Sequence, residues 1–235
     1  MAKEADKRKD DLIVYLAYDL KTPLTSIIGC LTLMDETPEL PEDLRRKFLK
    51  IGVEKAYRLE DLINEFFEIT RFNITKTILE CGRMNLSMMF LQLEDEFYPI
   101  LNEKKLSIST DMEEGINILA DGGKIAKVFD NILRNAINYS YPDTEISLLA
   151  HTEGDSVRVE ISNRGDQIPE QKIDMIFDQF FRVDSSRNTS GGAGLGLTIA
   201  KEIVELHSGT ISVTSDIEST RFTVILPVNL NTNQS

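Results

Sequence analysis

The sequence predicts two domains of different class, a helical hairpin followed by an α+β sandwich. Two segments, 9–34 and 42–72, repeat apolar residues at spacings of three and four, which is typical of amphipathic helices. After Asn73 the pattern changes to short β-like runs separated by further helical stretches. We therefore expect the hairpin over 1–73, the sandwich over 74–228 and a tail over 229–235.

The first helix contains Pro23, which removes one backbone donor and predicts a local bend. Pro38 and Pro41 then break the pattern before the second helix. The second helix carries an apolar stripe that one hairpin cannot bury alone: Phe48, Ile51, Leu59, Leu62, Phe66 and Ile69. A homodimer that forms a four-helix bundle is expected to complete this burial.

Six strands and four helices are predicted in the second domain. The strands are Ser107–Thr110, Ile116–Ala120, Glu145–His151, Ser156–Asn163, Thr210–Ser215 and Arg221–Leu226. The helices are 85–101, 122–139, 170–179 and 195–207, with Asn85 and Asp121 as N-caps. Because strands and helices do not alternate strictly, the pattern favours an α+β sandwich.

Composition argues against several classes of function. A net charge of −13 over 235 residues argues against nucleic-acid binding, since phosphate backbones attract clustered Lys and Arg. Cys30 and Cys81 have neither a metal-ligand spacing nor a disulfide framework, and they are interpreted as reduced packing residues of a cytosolic protein. No apolar run reaches the roughly 18 residues of a membrane span, and no signal peptide is visible.

Three asparagines, Asn131, Asn135 and Asn138, lie four and three residues apart and therefore share one helix face, with Tyr139 beside the last. A neutral carboxamide oxygen can ligate Mg²⁺ without repelling phosphate. A polar, solvent-facing helix surface is the alternative interpretation.

A glycine-rich stretch over 191–196 precedes an apolar helix. Its glycines allow the backbone to approach a phosphate, and the helix that follows presents free amides and the positive end of its dipole. Upstream, Arg182 and Arg187 carry the fixed fork of donors that suits phosphate oxygens. A flexible loop and surface arginines are the alternatives.

These motifs resemble those of sensor histidine kinases, in order along the chain. Residues 18–24, Tyr-Asp-Leu-Lys-Thr-Pro-Leu, resemble the H-box, in which a histidine precedes an acid, Leu, a base, Thr or Asn, Pro and Leu. The stretches 131–140, 162–169, 176–187 and 191–201 resemble the N, G1, F and G2 boxes, and 218–227 matches the G3 box in part. Residues 57–59 and 66–71 look like the vancomycin-resistance sensor kinases of enterococci.

The resemblance implies an ATP-binding domain of the histidine kinase and Hsp90 type, with ATP and Mg²⁺ as cofactors. It makes Asn135 the magnesium ligand and gives Asn163 the place of the aspartate that accepts from the adenine amino group. Two departures from the family are Asn138, where Lys is common, and Gln167, which replaces a glycine. The implied nucleotide-binding set is Asn131, Asn135, Asn138, Tyr139, Asn163, Gly165, Ile168, Arg182, Arg187, Gly192, Gly194, Leu195, Gly196 and Leu197, with 183–190 as the lid.

The same resemblance assigns the catalytic positions to Tyr18, Asp19 and Thr22, with Tyr18 in the place of the phosphoacceptor histidine. A phenol has a pKa of about 10, so very little is ionised at neutral pH, and we predict negligible autophosphorylation. Neither histidine of the chain can substitute, because His151 and His207 lie in the ATP-binding half. His151 is expected in a strand, and His207 at a helix C-terminus where it favours the dipole.

The predicted function is therefore the cytoplasmic core of a two-component sensor kinase that acts on a response regulator. The natural protein is expected at the cytoplasmic face of the membrane, held there by segments outside this chain. One alternative is a pseudokinase scaffold that binds a response regulator without catalysis. Another is an ATPase related to chaperones and topoisomerases. The H-box argues against that second alternative, and the acid next to the first asparagine, Asp130, lies on a different helix face from Asn135.

Overall fold

The computed structural model describes residues 2–74, 79–183 and 194–229. The chain divides into two compact units between Lys76 and Thr77. The boundary predicted from the sequence lies at residue 73. Within the described ranges, none of the helices has both the length and the apolar character needed to cross a lipid bilayer.

The first unit is an α-helical hairpin. Helix α1 spans Ala2–Glu36 and runs through Pro23, and helix α2 spans Glu42–Ile74. Among the hairpin residues whose side chains the structure describes, Pro23 and Leu62 are the only buried ones. Large apolar side chains are exposed along both helices, among them Leu24, Ile28, Leu31, Leu49, Val53 and Tyr57. The hairpin therefore does not bury its own apolar surface.

The described residues of the second unit form two sheets and three α-helices. Its elements are β1 (Gly82–Asn85), α3 (Leu86–Lys104), β2 (Ser107–Met112), β3 (Asn117–Ala120), α4 (Gly122–Tyr139), β4 (Glu145–Glu153), β5 (Ser156–Asn163), α5 (Gly196–Leu206), β6 (Thr210–Ser215) and β7 (Thr220–Pro227). The five-stranded sheet has the order β2-β4-β5-β7-β6, in which only β2 and β4 are parallel. Strands β1 and β3 form a separate antiparallel pair.

The core of this unit lies between the large sheet and its helices. Residues alternate between buried and partly exposed along β5 and β7, so one face of the sheet is covered. Helix α4 contributes a row of fully buried side chains, and the ring of Phe129 packs edge-on against Phe90 of α3 at 4.7 Å between centroids. The predicted combination of a helical hairpin and an α+β sandwich is confirmed.

The six predicted strands are confirmed, and so are both N-caps. The side chain of Asn85 accepts from the backbone of Met88, and that of Asp121 accepts from Lys124. Strand β1 was not predicted, because its four residues form a strand by pairing with the distant β3. The helix predicted at 170–179 is wrong. Two short 3₁₀ turns stand there, and Ile176 alone is buried in them, so little packing holds a longer helix.

His151 lies in β4 as predicted, but the interpretation of His207 needs correction. His207 is 1% exposed, and its Nε2 accepts from the backbone N–H of Asp121 at 3.0 Å. Its Nδ1 lies 2.8 Å from the carbonyl oxygen of Ile203, to which it donates. This pattern requires a neutral ring, and burial lowers the pKa of His207. The residue therefore joins the end of α5 to the start of α4 and does not add positive charge at the helix terminus.

Candidate functional site: a nucleotide pocket and a modified H-box

The three asparagines of α4 occupy the polar side of a helix whose other side is fully buried. All three are partly buried. The Nδ2 atom of Asn131 is buried and has no hydrogen-bond partner among the described residues. A buried amide without a partner is costly, so this atom is a candidate for contact with a ligand.

Asn131 meets the glycine-rich stretch directly. A Cβ placed on Gly196 would lie 3.0 Å from Oδ1 of Asn131, which is closer than side chains normally approach. Glycine at this position therefore lets the start of α5 lie against α4. The structure thus brings two of the predicted nucleotide motifs together, although 64 residues separate them in the sequence.

The residues before α5 form a tight backbone contact with the F-box. Gly194 has a positive φ of 77°, and a Cβ on it would lie 2.9 Å from the carbonyl oxygen of Phe181. Its own carbonyl accepts from the backbone of Phe180 at 3.1 Å. Leu195 is buried at the N-cap of α5, where no side chain caps the helix and no acid lies in the first turn. The N-terminal amides and the positive end of the dipole are therefore left for an anion.

Two further hydrogen bonds hold the F-box. The hydroxyl of Thr198 donates to the carbonyl of Phe177 at 2.9 Å, and Nζ of Lys172 donates to the carbonyl of Val183 at 3.0 Å. Arg182 is half-buried beside these contacts, and Leu197 is partly buried in the first turn of α5. Three predictions fall outside the described residues: Arg187, Gly192 and, apart from Val183, the lid over 183–190.

The G1 box packs against the end of α4. A Cβ on Gly165 would lie 2.1 Å from the carbonyl oxygen of Tyr139, so only glycine fits there. Ser140 and Gly165 form an isolated β-bridge, and Tyr141 donates its backbone N–H to Arg164 at 2.8 Å. The ring of Tyr139 remains 49% exposed. The N and G1 boxes are therefore joined by backbone contacts.

Asn163 is the last residue of β5 and is only 3% exposed. It pairs with Thr220 of β7, which is also buried. The Thr220 hydroxyl lies 2.7 Å from Oγ of Ser215, which accepts in turn from the backbone N–H of Ile168 at 3.0 Å. The sequence analysis did not include Ser215 or Thr220 in the site. The alternation along β7 could have indicated that Thr220 lies on the buried face of the sheet, but no such signal marks Ser215.

A second residue missed from the sequence is Lys104. Its ammonium donates to Oδ1 of Asn138 at 2.8 Å and to the carbonyl of Ile137 at 3.3 Å, where α4 ends. Burial lowers the pKa of Lys104, and the nearby Glu103 opposes that shift. The carboxamide of Asn138 is thereby fixed with its nitrogen available as a donor. No local signal links positions 104 and 138.

In the hairpin, Asp19 and Thr22 are exposed and lie one turn apart on α1. Thr22 also lines an open depression of about 480 Å³ together with Lys21, Thr25 and Ser26. Tyr18 lies within α1, but its side chain is outside the described residues.

The residues of the second unit fit a magnesium-bound nucleoside triphosphate. The orphaned amide of Asn131, the glycine contacts at 194 and 196, and the uncapped N-terminus of α5 are polar or close-approach features that a phosphate chain would satisfy. The half-buried carboxamide of Asn135 supplies a neutral oxygen of the kind that Mg²⁺ accepts beside phosphates.

Family models match both units. Residues 120–230 match the model described as histidine kinase-, DNA gyrase B- and HSP90-like ATPase. Residues 8–73 match the model described as His Kinase A (phospho-acceptor) domain. Two solved structures share the fold. The histidine kinase ThkA in complex with the response regulator TrrA has a TM-score of 0.78 at 24% identity, covering 98% of this chain and 65% of that one. The histidine kinase AdeS of Acinetobacter baumannii has a TM-score of 0.75 at 19% identity, covering 90% and 98%.

Two sensor proteins of enterococci are more similar to this chain in sequence than these two solved structures are. The sensor protein VanSC of Enterococcus gallinarum is 51% identical over 231 residues, which is 98% of this chain and 64% of that protein. The sensor protein VanS of Enterococcus faecium is 46% identical, over 96% of this chain and 59% of that protein. The chain thus spans less than two thirds of the length of either relative. With both family models matched in order and these VanS homologues, the chain belongs to the sensor histidine kinases of two-component systems.

Proposed function

We propose that this chain binds Mg²⁺-ATP, does not phosphorylate itself, and accelerates the dephosphorylation of a response regulator. The observation that carries the proposal is the combination of a nucleotide-binding face with an H-box whose acceptor position is Tyr18. The first feature supports ATP as a ligand. The second removes the usual acceptor of its γ-phosphoryl group.

Nucleotide binding is assigned to the face formed by α4 and the start of α5. Asn131 contributes a buried amide with no described partner, and Gly196 lets the backbone of α5 approach it. Asn135 is the proposed magnesium ligand. Asn163 faces the base, and Arg182 the phosphates. The free amides at the N-terminus of α5 add positive potential where the phosphates would lie.

The loss of autophosphorylation follows from the chemistry of the acceptor. An imidazole is largely unprotonated at neutral pH and has a nucleophilic nitrogen, whereas a phenol with a pKa of about 10 is almost entirely protonated. The phenol oxygen also lies farther from Cβ than either imidazole nitrogen, so the in-line geometry of phosphoryl transfer would be lost. Neither remaining histidine compensates, because His207 is buried in a structural role and His151 lies in β4.

Phosphatase activity is assigned to the exposed face of α1 that carries Asp19 and Thr22. The Thr22 hydroxyl would orient a water molecule towards the phosphorylated aspartate of the regulator. The water oxygen forms the new bond to phosphorus while the acyl P–O bond breaks, which releases inorganic phosphate and the free carboxylate. The partner is therefore a response regulator, and the catalytic unit is a homodimer.

The homodimer is supported by the apolar surface of the hairpin. Leu24, Ile28 and Leu31 lie on one side of α1 and are each about half exposed. A second hairpin would cover this surface and complete a four-helix bundle. In the full-length protein we place this core at the cytoplasmic face of the cell membrane.

The test uses γ-labelled ATP and a response regulator phosphorylated by acetyl phosphate. We expect no label on this chain, label on its Tyr18→His variant, and faster loss of phosphate from the regulator in the presence of either form. Thr22→Ala should remove that acceleration, whereas Thr32→Ala, also exposed on α1, should leave it unchanged. Label on the unmodified chain would contradict the acceptor argument.

The alternative function is a pseudokinase scaffold, which the same Tyr18 substitution favours. It predicts that the regulator binds without any change in its rate of phosphate loss. An ATPase of the chaperone type is disfavoured by Asp130, which is held by both of its oxygens at 3.0 Å from Nε of Arg134.

A further inference from the structure

We propose that the base pocket accepts 6-oxopurine nucleotides, such as inosine and guanosine triphosphates, as well as ATP. The proposal rests on the proposed function, because it concerns the group that faces the base in the same site. Its basis is a set of adjoining polar side chains, the buried Asn163 and Thr220 and the partly buried Ser215, each of which can donate or accept a hydrogen bond.

Asn163 is the central member of this set. The residue is 3% exposed, and its carboxamide makes no hydrogen bond to another described residue. It lies beside Gly165, where an added Cβ would come within 3.3 Å of Nδ2. Buried polar groups are almost always paired, so an unpaired carboxamide in this position indicates a ligand that supplies the partner.

A carboxamide differs from a carboxylate in what it can recognise. An ionised carboxylate only accepts, so it pairs with the 6-amino group of adenine and repels the 6-oxo group of hypoxanthine or guanine. A carboxamide can turn its oxygen towards an amino group or its nitrogen towards an oxo group. The terminal torsion of Asn is broad, and no described residue fixes the amide in one orientation.

The neighbouring hydroxyls share this property. Thr220 pairs with Asn163 across β5 and β7, and both lie on the buried face of the sheet. In the 2.7 Å contact between Ser215 and Thr220 either oxygen can be the donor. Asp166, the acid in the same loop, accepts from the hydroxyl of Tyr141 at 2.7 Å and is engaged there. The groups around Asn163 therefore impose no fixed polarity on the base.

The experiment is calorimetric titration of the whole chain with the Mg²⁺ complexes of ATP, ITP, GTP and CTP. We expect the dissociation constants of ATP and ITP to agree within about fivefold, and CTP to bind at least about tenfold more weakly because a pyrimidine does not reach the same groups. ITP lacks the 2-amino group of GTP, so it reports position 6 without a steric contribution from position 2.

The variant Asn163→Asp replaces the amide by a carboxylate of the same shape. We expect it to raise the preference for ATP over ITP by about tenfold or more, whereas Asn102→Asp, an exposed position on α3 that receives the same charge, should leave the ratio unchanged. The wild-type titrations need no variant, so they decide the question even if Asn163→Asp does not fold.

The outcomes separate this proposal from the one on which it depends. Wild-type chain that binds ATP but binds ITP more than about thirtyfold more weakly overturns the inference and leaves ATP binding intact. An Asn163→Asp variant with an unchanged ATP-to-ITP ratio also overturns it, because the amide then does not face position 6. Failure of every triphosphate to bind overturns the nucleotide site itself, and this inference with it.

Discussion

The two units of this chain differ in how much of their apolar surface they bury. In the sandwich, β5 and β7 bury every second residue, and α4 is fully buried along one side. In the hairpin, only Pro23 and Leu62 are buried among the residues whose side chains the structure describes. The sandwich buries its own apolar core, whereas the hairpin leaves apolar side chains exposed that another molecule could cover.

This difference corresponds to a division of chemistry. The nucleotide-binding groups need a rigid frame, since Gly165 and Gly196 lie so close to Tyr139 and Asn131 that an added Cβ would come within 2.1 Å and 3.0 Å of them. The H-box residues Asp19 and Thr22 are exposed on a helix, where a protein partner can reach them. Four variants test the comparison, from the largest expected effect to the smallest.

Ile28→Asp combined with Leu31→Asp should separate the proposed dimer. Both side chains are more than half exposed in the single hairpin, and two carboxylates in a covered apolar interface would be desolvated without partners. We expect the dimer dissociation constant to rise at least about 100-fold in sedimentation equilibrium. Lys47→Glu gives the same change in net charge at an exposed position of α2 and should leave the dimer intact. An unchanged dimer in the double variant would mean that the hairpin associates through another face.

Gly165→Ala should destabilise the sandwich and leave the hairpin unaffected. The new Cβ would lie 2.1 Å from the carbonyl oxygen of Tyr139, so the backbone must move. We expect a loss of about 2–4 kcal/mol in the free energy of unfolding, measured by urea denaturation of the chain. Gly123→Ala is the control, because its Cβ would meet nothing closer than 3.7 Å. Equal stability of the two variants would show that the junction of the N and G1 boxes is pliable.

His207 should make the stability of the sandwich depend on pH. Its pKa is lowered in the folded state by burial, while Asp121 and Lys124 are the charged groups that face it, with opposing effects. The unfolded chain therefore binds the proton more readily. The contribution of neutral His207 to the free energy of unfolding is therefore complete at pH values above 6.5, the ordinary pKa of a histidine. It is lost as the pH falls below that value.

Thermal unfolding between pH 7.5 and 5.5 measures this dependence. The variant His207→Gln should reduce the slope, because glutamine has no group that titrates in this range. An unchanged slope in this variant would show that the buried imidazole is not the responsible group.

Lys104→Met should have the smallest effect. The change removes the two hydrogen bonds that fix Asn138 and close the end of α4, but it retains the aliphatic part of the side chain. We expect roughly 1 kcal/mol of lost stability and a several-fold weaker affinity for Mg²⁺-ATP by calorimetry. Lys104→Arg keeps a cation and should recover part of the affinity. An unchanged affinity of the Lys104→Met variant for Mg²⁺-ATP would show that the orientation of Asn138 does not contribute to nucleotide binding.

Local patterns in the sequence account for most of the architecture. Alternating apolar residues located the strands of the large sheet, and Asn85 and Asp121 marked helix starts because a side-chain cap is a local interaction. Strand β1 could not be predicted from the sequence, because its four residues, Gly-Arg-Met-Asn, show no alternation of apolar and polar side chains. Their pairing with β3 depends on tertiary structure. The segment 170–179 has helix-forming composition but lacks a buried face.

Prediction of the candidate site from the sequence has the same limit, because contacts between distant segments leave no local pattern. The resemblance to sensor kinases named Asn131 and Gly196 separately, but their contact depends on how α4 and α5 pack. Lys104 and Ser215 belong to the surroundings of the site through hydrogen bonds across 34 and 47 residues of sequence. Such partners are set by the fold as a whole, and no window of the sequence contains them.

The hydrogen bonds at Thr198, Phe180 and Lys172 also bear on how this family can vary in length. They anchor the chain on both sides of residues 184–193. For a flexible segment whose two ends are held, each doubling of length costs only about 0.6 kcal/mol of closure entropy. Relatives that differ in the number of residues between Val183 and Gly194 can therefore keep the same arrangement of the described residues on either side.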